Sequence, residues 1–176
     1  MLITGRADAI PHPRRRVNEL VDIVDAHDRV VRTVGRQQMR AERLRHRAVF
    51  VAVMHPDGRL LVHQRSELKD LWPDRWDLAV GGVVSSGETY DDAARREVAE
   101  EIGIESAPQP LNGGGSYDDA DVSLIGRCYL LVHPGPFTFA DGEVVRAEWV
   151  HVQSLTHDGR DYLPDSLALL LPLLLL

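Results

Sequence analysis

Residues Gly82–Ile104 read GVVSSGETYDDAARREVAEEIGI. Gly82 is followed after five residues by Glu88, and after seven more by Arg96-Glu97; Val98, Glu100-Glu101, Gly103 and apolar Ile104 complete the spacing. Gly81, Gly82 and Gly87 allow tight or left-handed backbone ahead of a helix. Thr89, with Asp92 three residues on, predicts the helix start, and Gly103 its stop. Between them a 3.6-residue period puts Ala94, Val98 and Ile102 on a core-facing stripe. The same period gathers Glu97, Glu100 and Glu101 on an adjoining face.

Carboxylates so spaced repel one another and gain nothing from their company. A hard divalent cation reverses that balance, because carboxylate oxygens are its preferred ligands. Mg²⁺ takes few of them and keeps its other positions for water and substrate phosphates. Arg96, four residues before Glu100, is suited to hold that carboxylate in place. The alternative is a solvated acidic helix face. The joint placement of the glycines, Glu88, the Arg-Glu pair and Gly103 favours the metal.

This stretch resembles the Nudix box, matched at every fixed position without a gap. The resemblance implies a Nudix hydrolase of the α/β class (α+β), an α/β/α sandwich around a central mixed sheet. It also implies a Mg²⁺- or Mn²⁺-dependent site that splits a diphosphate linked to some other group. Position by position, Glu97 and Glu101 become the principal metal ligands and Glu100 a further ligand or water-activating base. The Gly81 carbonyl is another ligand candidate, and Gly82, Glu88, Arg96 and Gly103 hold the box together.

A chain of 176 residues is sized for one domain. We read it as residues 19–176 behind a mobile arm, 1–18, which carries Arg14–Arg16 and prolines. The net charge of −7 argues against general nucleic-acid binding, while a small phosphorylated substrate stays compatible through its metal. A lone Cys128 and the lack of a secretory pattern fit a cytoplasmic setting, with Cys128 itself a small buried hydrophobe. The tail Leu167–Leu176 (LALLLPLLLL) is too short for a membrane span and is interrupted by Pro172. It is expected to pack on the domain or on a partner, such as the second copy in a homodimer.

Upstream, Glu19–Val24 and Arg29–Val34 predict an N-terminal β-hairpin, and Gln37–Leu44 a short helix. His46–Met54 reads as a buried strand, returned through Pro56-Asp57-Gly58 by its partner Leu60–Gln64. The stretch Arg65–Trp76 is similar to a segment of the isopentenyl-diphosphate isomerase branch of the same superfamily. That similarity makes Arg65 and Lys69 diphosphate-binding residues, suited to it as a guanidinium fork and a point charge. Loop surface charge is the equal alternative. Trp72 and Trp76 read as packing residues. Downstream, Ala107–Gly115 reads as loop, Asp118–Asp121 as a polar turn, Val122–Val132 and Val144–Val152 as strands, and Pro164–Ser166 as the opening of a last helix. Glu143 resembles a position that supplies an additional ligand or base in several Nudix enzymes, with a plain loop carboxylate as the equal alternative.

His12, His27, His55, His63, His133, His151 and His157 read as surface or turn residues. His46 aligns with a metal-binding histidine of the isomerases, but its partner positions here are Met39 and Val83, so that ligand set cannot form. The isomerases' proton-donating cysteine corresponds to Gly81. Both departures oppose isomerisation. The expected reaction is metal-assisted phosphoryl transfer to water, with a small-molecule diphosphate as substrate. A non-catalytic ligand sensor on the same fold is the reading from another class. A sensor would have no need of the complete glutamate set.

Overall fold

The computed structural model describes residues 19–139 and 142–176. The arm expected at 1–18, His12 and Asp141 lie outside the described residues. Leu20–Val24 (β1) and Val30–Gly35 (β2) form the anticipated antiparallel hairpin, and Arg36–Ala41 (α1) follows at once. Then come His46–Met54 (β3), Leu60–Arg65 (β4), Trp76–Asp77 (β5), Val80–Val83 (β6) and the box helix Tyr90–Ile102 (α2). Gln109–Asp118 (β7), Ser123–Val132 (β8), Val144–Val150 (β9), Pro164–Leu169 (α3) and Leu171–Leu174 (α4) complete the chain.

β3 is the centre of the assembly because its side chains are apolar on both faces. Strand geometry sends alternate residues to opposite sides. Ala48, Phe50 and Ala52 pack on one side with Cys128, Leu169 and Leu170, beneath the C-terminal helices. Val49, Val51 and Val53 pack on the other with Ala93, Ala94, Val98 and Ile102 of α2. Helices therefore cover both faces of a mixed sheet, the architecture anticipated above. β3 runs parallel to β8, from His46↔Leu124 to Met54↔Val132, and antiparallel to β6. Cys128 is buried, as expected of a small apolar side chain.

Several local expectations are corrected. β4 meets β3 only at Met54↔Leu60; its long partner is β9, from Leu60↔Val150 to Arg65↔Val144. The turn predicts proximity, but after it β4 leaves β3 to the competing edges of β6 and β8. Residues read as loop from 107 to 115 mostly belong to β7, which pairs with β8 through an irregularity between Pro110 and Gly114. Glycines and prolines hid a strand that the β8 edge recruits. His63 lies inside β4 and is buried, not a surface or turn residue.

Gly81 and Gly82 belong to β6 rather than to the loop. Close approach requires glycine there: a Cβ at Gly81 would stand 2.0 Å from the Val49 carbonyl oxygen. The leucine tail packs in part, with Leu169 and Leu170 buried and Leu176 exposed.

Candidate active site

The box helix obtains its ends locally. The Thr89 hydroxyl accepts from the Asp92 backbone N–H at 3.1 Å, a side-chain cap of the kind that satisfies an otherwise orphaned donor. Gly103 closes the helix in the left-handed region, φ 70°, and its N–H donates to the Ala99 carbonyl at 3.1 Å. Between these caps Ala94, Val98 and Ile102 are buried as the spacing predicts.

The three glutamates divide. Glu97 and Glu101, one helical turn apart, are each 3 % exposed, whereas the Glu100 side chain is 39 % exposed. The single acidic face expected of them is therefore two buried carboxylates with a third at the rim. Burial of carboxylates is costly unless charge and hydrogen bonds compensate.

Arg96 supplies much of that compensation. Its Nε donates to Glu88 Oε1 at 2.8 Å and its Nη2 to Glu88 Oε2 at 2.9 Å, a bidentate fork. Nη1 reaches Glu97 Oε1 at 2.7 Å and Glu100 Oε2 at 3.3 Å, and Nη2 also bonds the Val83 carbonyl at 3.2 Å. Glu88 in turn accepts from the Ser85 N–H at 3.0 Å. Arg96 thus ties the loop, the end of β6 and the helix together, well beyond its expected partner Glu100. Gly82 lies against this cluster, and a Cβ there would come within 2.6 Å of Glu97 Oε1.

Lys69 reaches the other buried glutamate. Its Nζ stands 3.7 Å from Glu101 Oε1 and pairs closely with Glu143 Oε2. Backbone bonds bring these segments together: Ser66 N donates to the Glu143 carbonyl at 2.8 Å, and Lys69 N to the Ser66 carbonyl at 3.2 Å. Among the described residues, no three His, Cys, Asp or Glu side chains already stand arranged to hold a metal. Glu101 and Glu143 instead share an ammonium.

Arg65 faces elsewhere. Its Nη2 donates to the Leu71 carbonyl at 3.0 Å, and its Nη1 lies 3.7 Å from Asp77 Oδ2. It lines a pocket that runs from Gly81 and Gly82 to Arg36, Arg40 and His46, with Phe50, Trp72 and Leu124 among its apolar walls. Both tryptophans pack as expected, Trp76 buried in the core and Trp72 partly buried against it; Trp72 also lines this pocket and donates through its indole to Asp121 at 3.1 Å.

The pocket is strongly polarised. Burial pushes the Asp70 carboxyl up, but Arg40, Arg36, Lys69 and Arg65 together hold it below the usual carboxylate range. Asp165, also on the wall, is pushed up to about 7 by burial and by the charge of Asp77. His46 is held down to about 4 by burial and by Arg40, and its Nδ1 lies 2.9 Å from the Leu44 carbonyl. Sequence reasoning missed Arg36, Arg40, Asp77 and Asp165. The available signal was Asp77, a lone acid within the apolar run Trp76–Val80.

Comparison with known proteins follows the same lines. A model described as the NUDIX domain matches residues 44–170. An uncharacterized Nudix hydrolase of Yersinia pestis is 40 % identical over 151 residues, 86 % of this chain and 83 % of that protein. The uncharacterized Nudix hydrolase YfcD of Escherichia coli K12 is 37 % identical over 149 residues, 85 % of this chain and 83 % of its own. Among solved structures, DR0079 of Deinococcus radiodurans superimposes with a TM-score of 0.70 at 30 % identity, covering 84 % of this chain and 94 % of that one.

Proposed function

The chain belongs to the Nudix hydrolase family, and on that basis we propose that it is a Mg²⁺- or Mn²⁺-dependent pyrophosphohydrolase. Its substrate in this reading is a nucleoside diphosphate derivative or another small organic diphosphate. Glu97, Glu101 and Glu100 are the metal-holding residues, with the Gly81 carbonyl and Glu143 as further donors. The observation that carries the reading is the meeting of Glu101, from the helix, and Glu143, from the loop just before β9, at one ammonium. Oxygen donors from two elements thus lie within reach of a single cation, the ligand chemistry that hard divalent ions prefer. The absent side chain at Gly82 leaves room for the Glu97 carboxylate itself, whose Oε1 would lie 2.6 Å from a Cβ there.

When bound, the metal supplies charge neutralisation for the diphosphate and acidifies water. The chain's own groups do the rest. Glu100 or Glu101 takes the proton of the attacking water. Arg65 and Lys69 steady the phosphate that leaves. Arg96 and Glu88 hold the helix and its preceding loop in register, so that the carboxylates keep their positions. A single domain over residues 19–176 and a cytoplasmic setting belong to the same proposal. Among the described residues, no helix is long and apolar enough to cross a membrane.

Phosphate release from a panel of nucleoside and non-nucleoside diphosphates, with Mg²⁺ or Mn²⁺ and with chelator, tests the assignment. Turnover that requires the metal is expected for at least one class. Ligand-induced stabilisation without turnover across the panel would favour a sensor and remove the enzyme reading.

A further inference from the structure

Lys69 lines the pocket with the other cations, but its ammonium meets two groups assigned above to the metal, Glu101 and Glu143. Its side chain is 10 % exposed and that of Glu101 4 % exposed. The contact is built into the backbone, since the turn that carries Lys69 is hydrogen-bonded through Ser66 to Glu143, the residue whose carboxylate Lys69 meets. The remaining pocket cations are engaged differently. Arg65 bonds the Leu71 carbonyl, Arg36 pairs with Glu19 at 3.0 Å, and Arg40 with Asp70 at 3.3 Å.

We propose that Lys69 is an exchangeable internal cation, which neutralises Glu101 and Glu143 until a divalent ion displaces it. The released ammonium then turns to the substrate diphosphate. This inference rests on the metal-dependent reading of the site. Its physical basis is competition. A carboxylate as buried as Glu101 is costly without a counter-ion beside it, and an ammonium and a metal ion cannot share one set of oxygens without repelling each other. A lysine suits the role because its compact charge rides on a flexible stem. Exchange couples the two binding events: metal frees the group that receives the diphosphate, so metal and substrate favour each other's binding.

The test is Mn²⁺ affinity, measured by titration calorimetry on the full chain without substrate. Lys69→Met is expected to bind Mn²⁺ about tenfold more tightly than the wild type, because no internal cation has to leave. It should also melt at a lower temperature in chelator and gain more from Mn²⁺. Lys69→Gln, which keeps polar contacts but no charge, provides the same comparison if the methionine variant does not fold. Arg65→Met removes an equal charge that bonds elsewhere, and its affinity should stay near that of the wild type. Unchanged or weaker Mn²⁺ binding by the Lys69 variants overturns the exchange while leaving the metal reading intact. Equal tightening by Arg65→Met would reduce it to a general field effect and overturn it as well. A wild-type protein that binds no Mn²⁺ removes the metal reading, and the exchange with it.

Discussion

Gly82 is a glycine because of Glu97, whose Oε1 would lie 2.6 Å from any added Cβ. Its backbone is ordinary strand, so the requirement is for space beside a carboxylate rather than for an unusual dihedral. The glutamates themselves differ by one turn of helix. Glu97 is held by Arg96, Glu101 meets Lys69, and Glu100 stands at the rim. If Glu101 is a ligand or base, Glu101→Gln removes its charge with little change of shape. Metal-dependent turnover is then expected to fall by about a hundredfold or more, while circular dichroism and melting stay close to the wild type. Near-normal turnover would remove the role assigned to Glu101.

The box helix depends on its links to the loop before it. Its caps, Thr89 and Gly103, are local, but the side chain that fastens it to β6 is Arg96, through Glu88, Glu97 and the Val83 carbonyl. Arg96→Met would leave these carboxylates without the guanidinium they share. Removing one partner of a buried ion pair costs about 3–5 kcal/mol, and the 28 % exposure of the Arg96 side chain lowers the expectation to roughly 2–3 kcal/mol. Urea denaturation measures this directly. Arg96→Lys should recover only part of it, since an ammonium cannot reproduce the fork. A loss below about 0.5 kcal/mol for the methionine variant would show the fork to be dispensable. The element missed most completely, β7, illustrates the opposite case. Its Gly114 and Gly115 have no strand propensity, and extended structure arises there from pairing with Arg127 and Gly126 of β8, beyond the irregularity that follows Pro110.

The molecule as a whole carries opposed pH dependences in its core. Asp165 titrates near 7 in the fold against an ordinary 3.8. Between those values the folded chain holds a proton that the unfolded chain has released, so this group's contribution to stability falls as pH rises through the window and is level above it. His46 and His63 titrate near 4 against an ordinary 6.5, both primarily through burial. Their contribution is present above 6.5 and is lost as pH falls toward 4. Asp165→Asn, which keeps an acceptor for the Ser166 N–H, removes only the first dependence. Its melting temperature relative to the wild type should be near zero at pH 4 and rise to several degrees at pH 8, at about 2–4 °C per kcal/mol for a chain of this length. Thermal melts across that range check the sign, and a difference independent of pH would refute it.

What the residue order determined by itself is the box: helix limits, caps, core stripe and the placement of Glu97, Glu100 and Glu101. All of that lies within the contiguous stretch Gly82–Ile104, where helical geometry converts spacing into position. The hairpin, the limits of β3 and the two-sided burial that makes it central were legible for the same reason. Tertiary structure alone decided which glutamates are buried, which strand β4 joins, and that Lys69 meets Glu101 and Glu143. It also brought Arg36, Arg40, Asp77 and Asp165 to one pocket. These groups are far apart along the chain, and their meeting depends on how sheet edges compete for partners and how close packing orients the loops between them. Neither a local period nor a local propensity encodes that outcome.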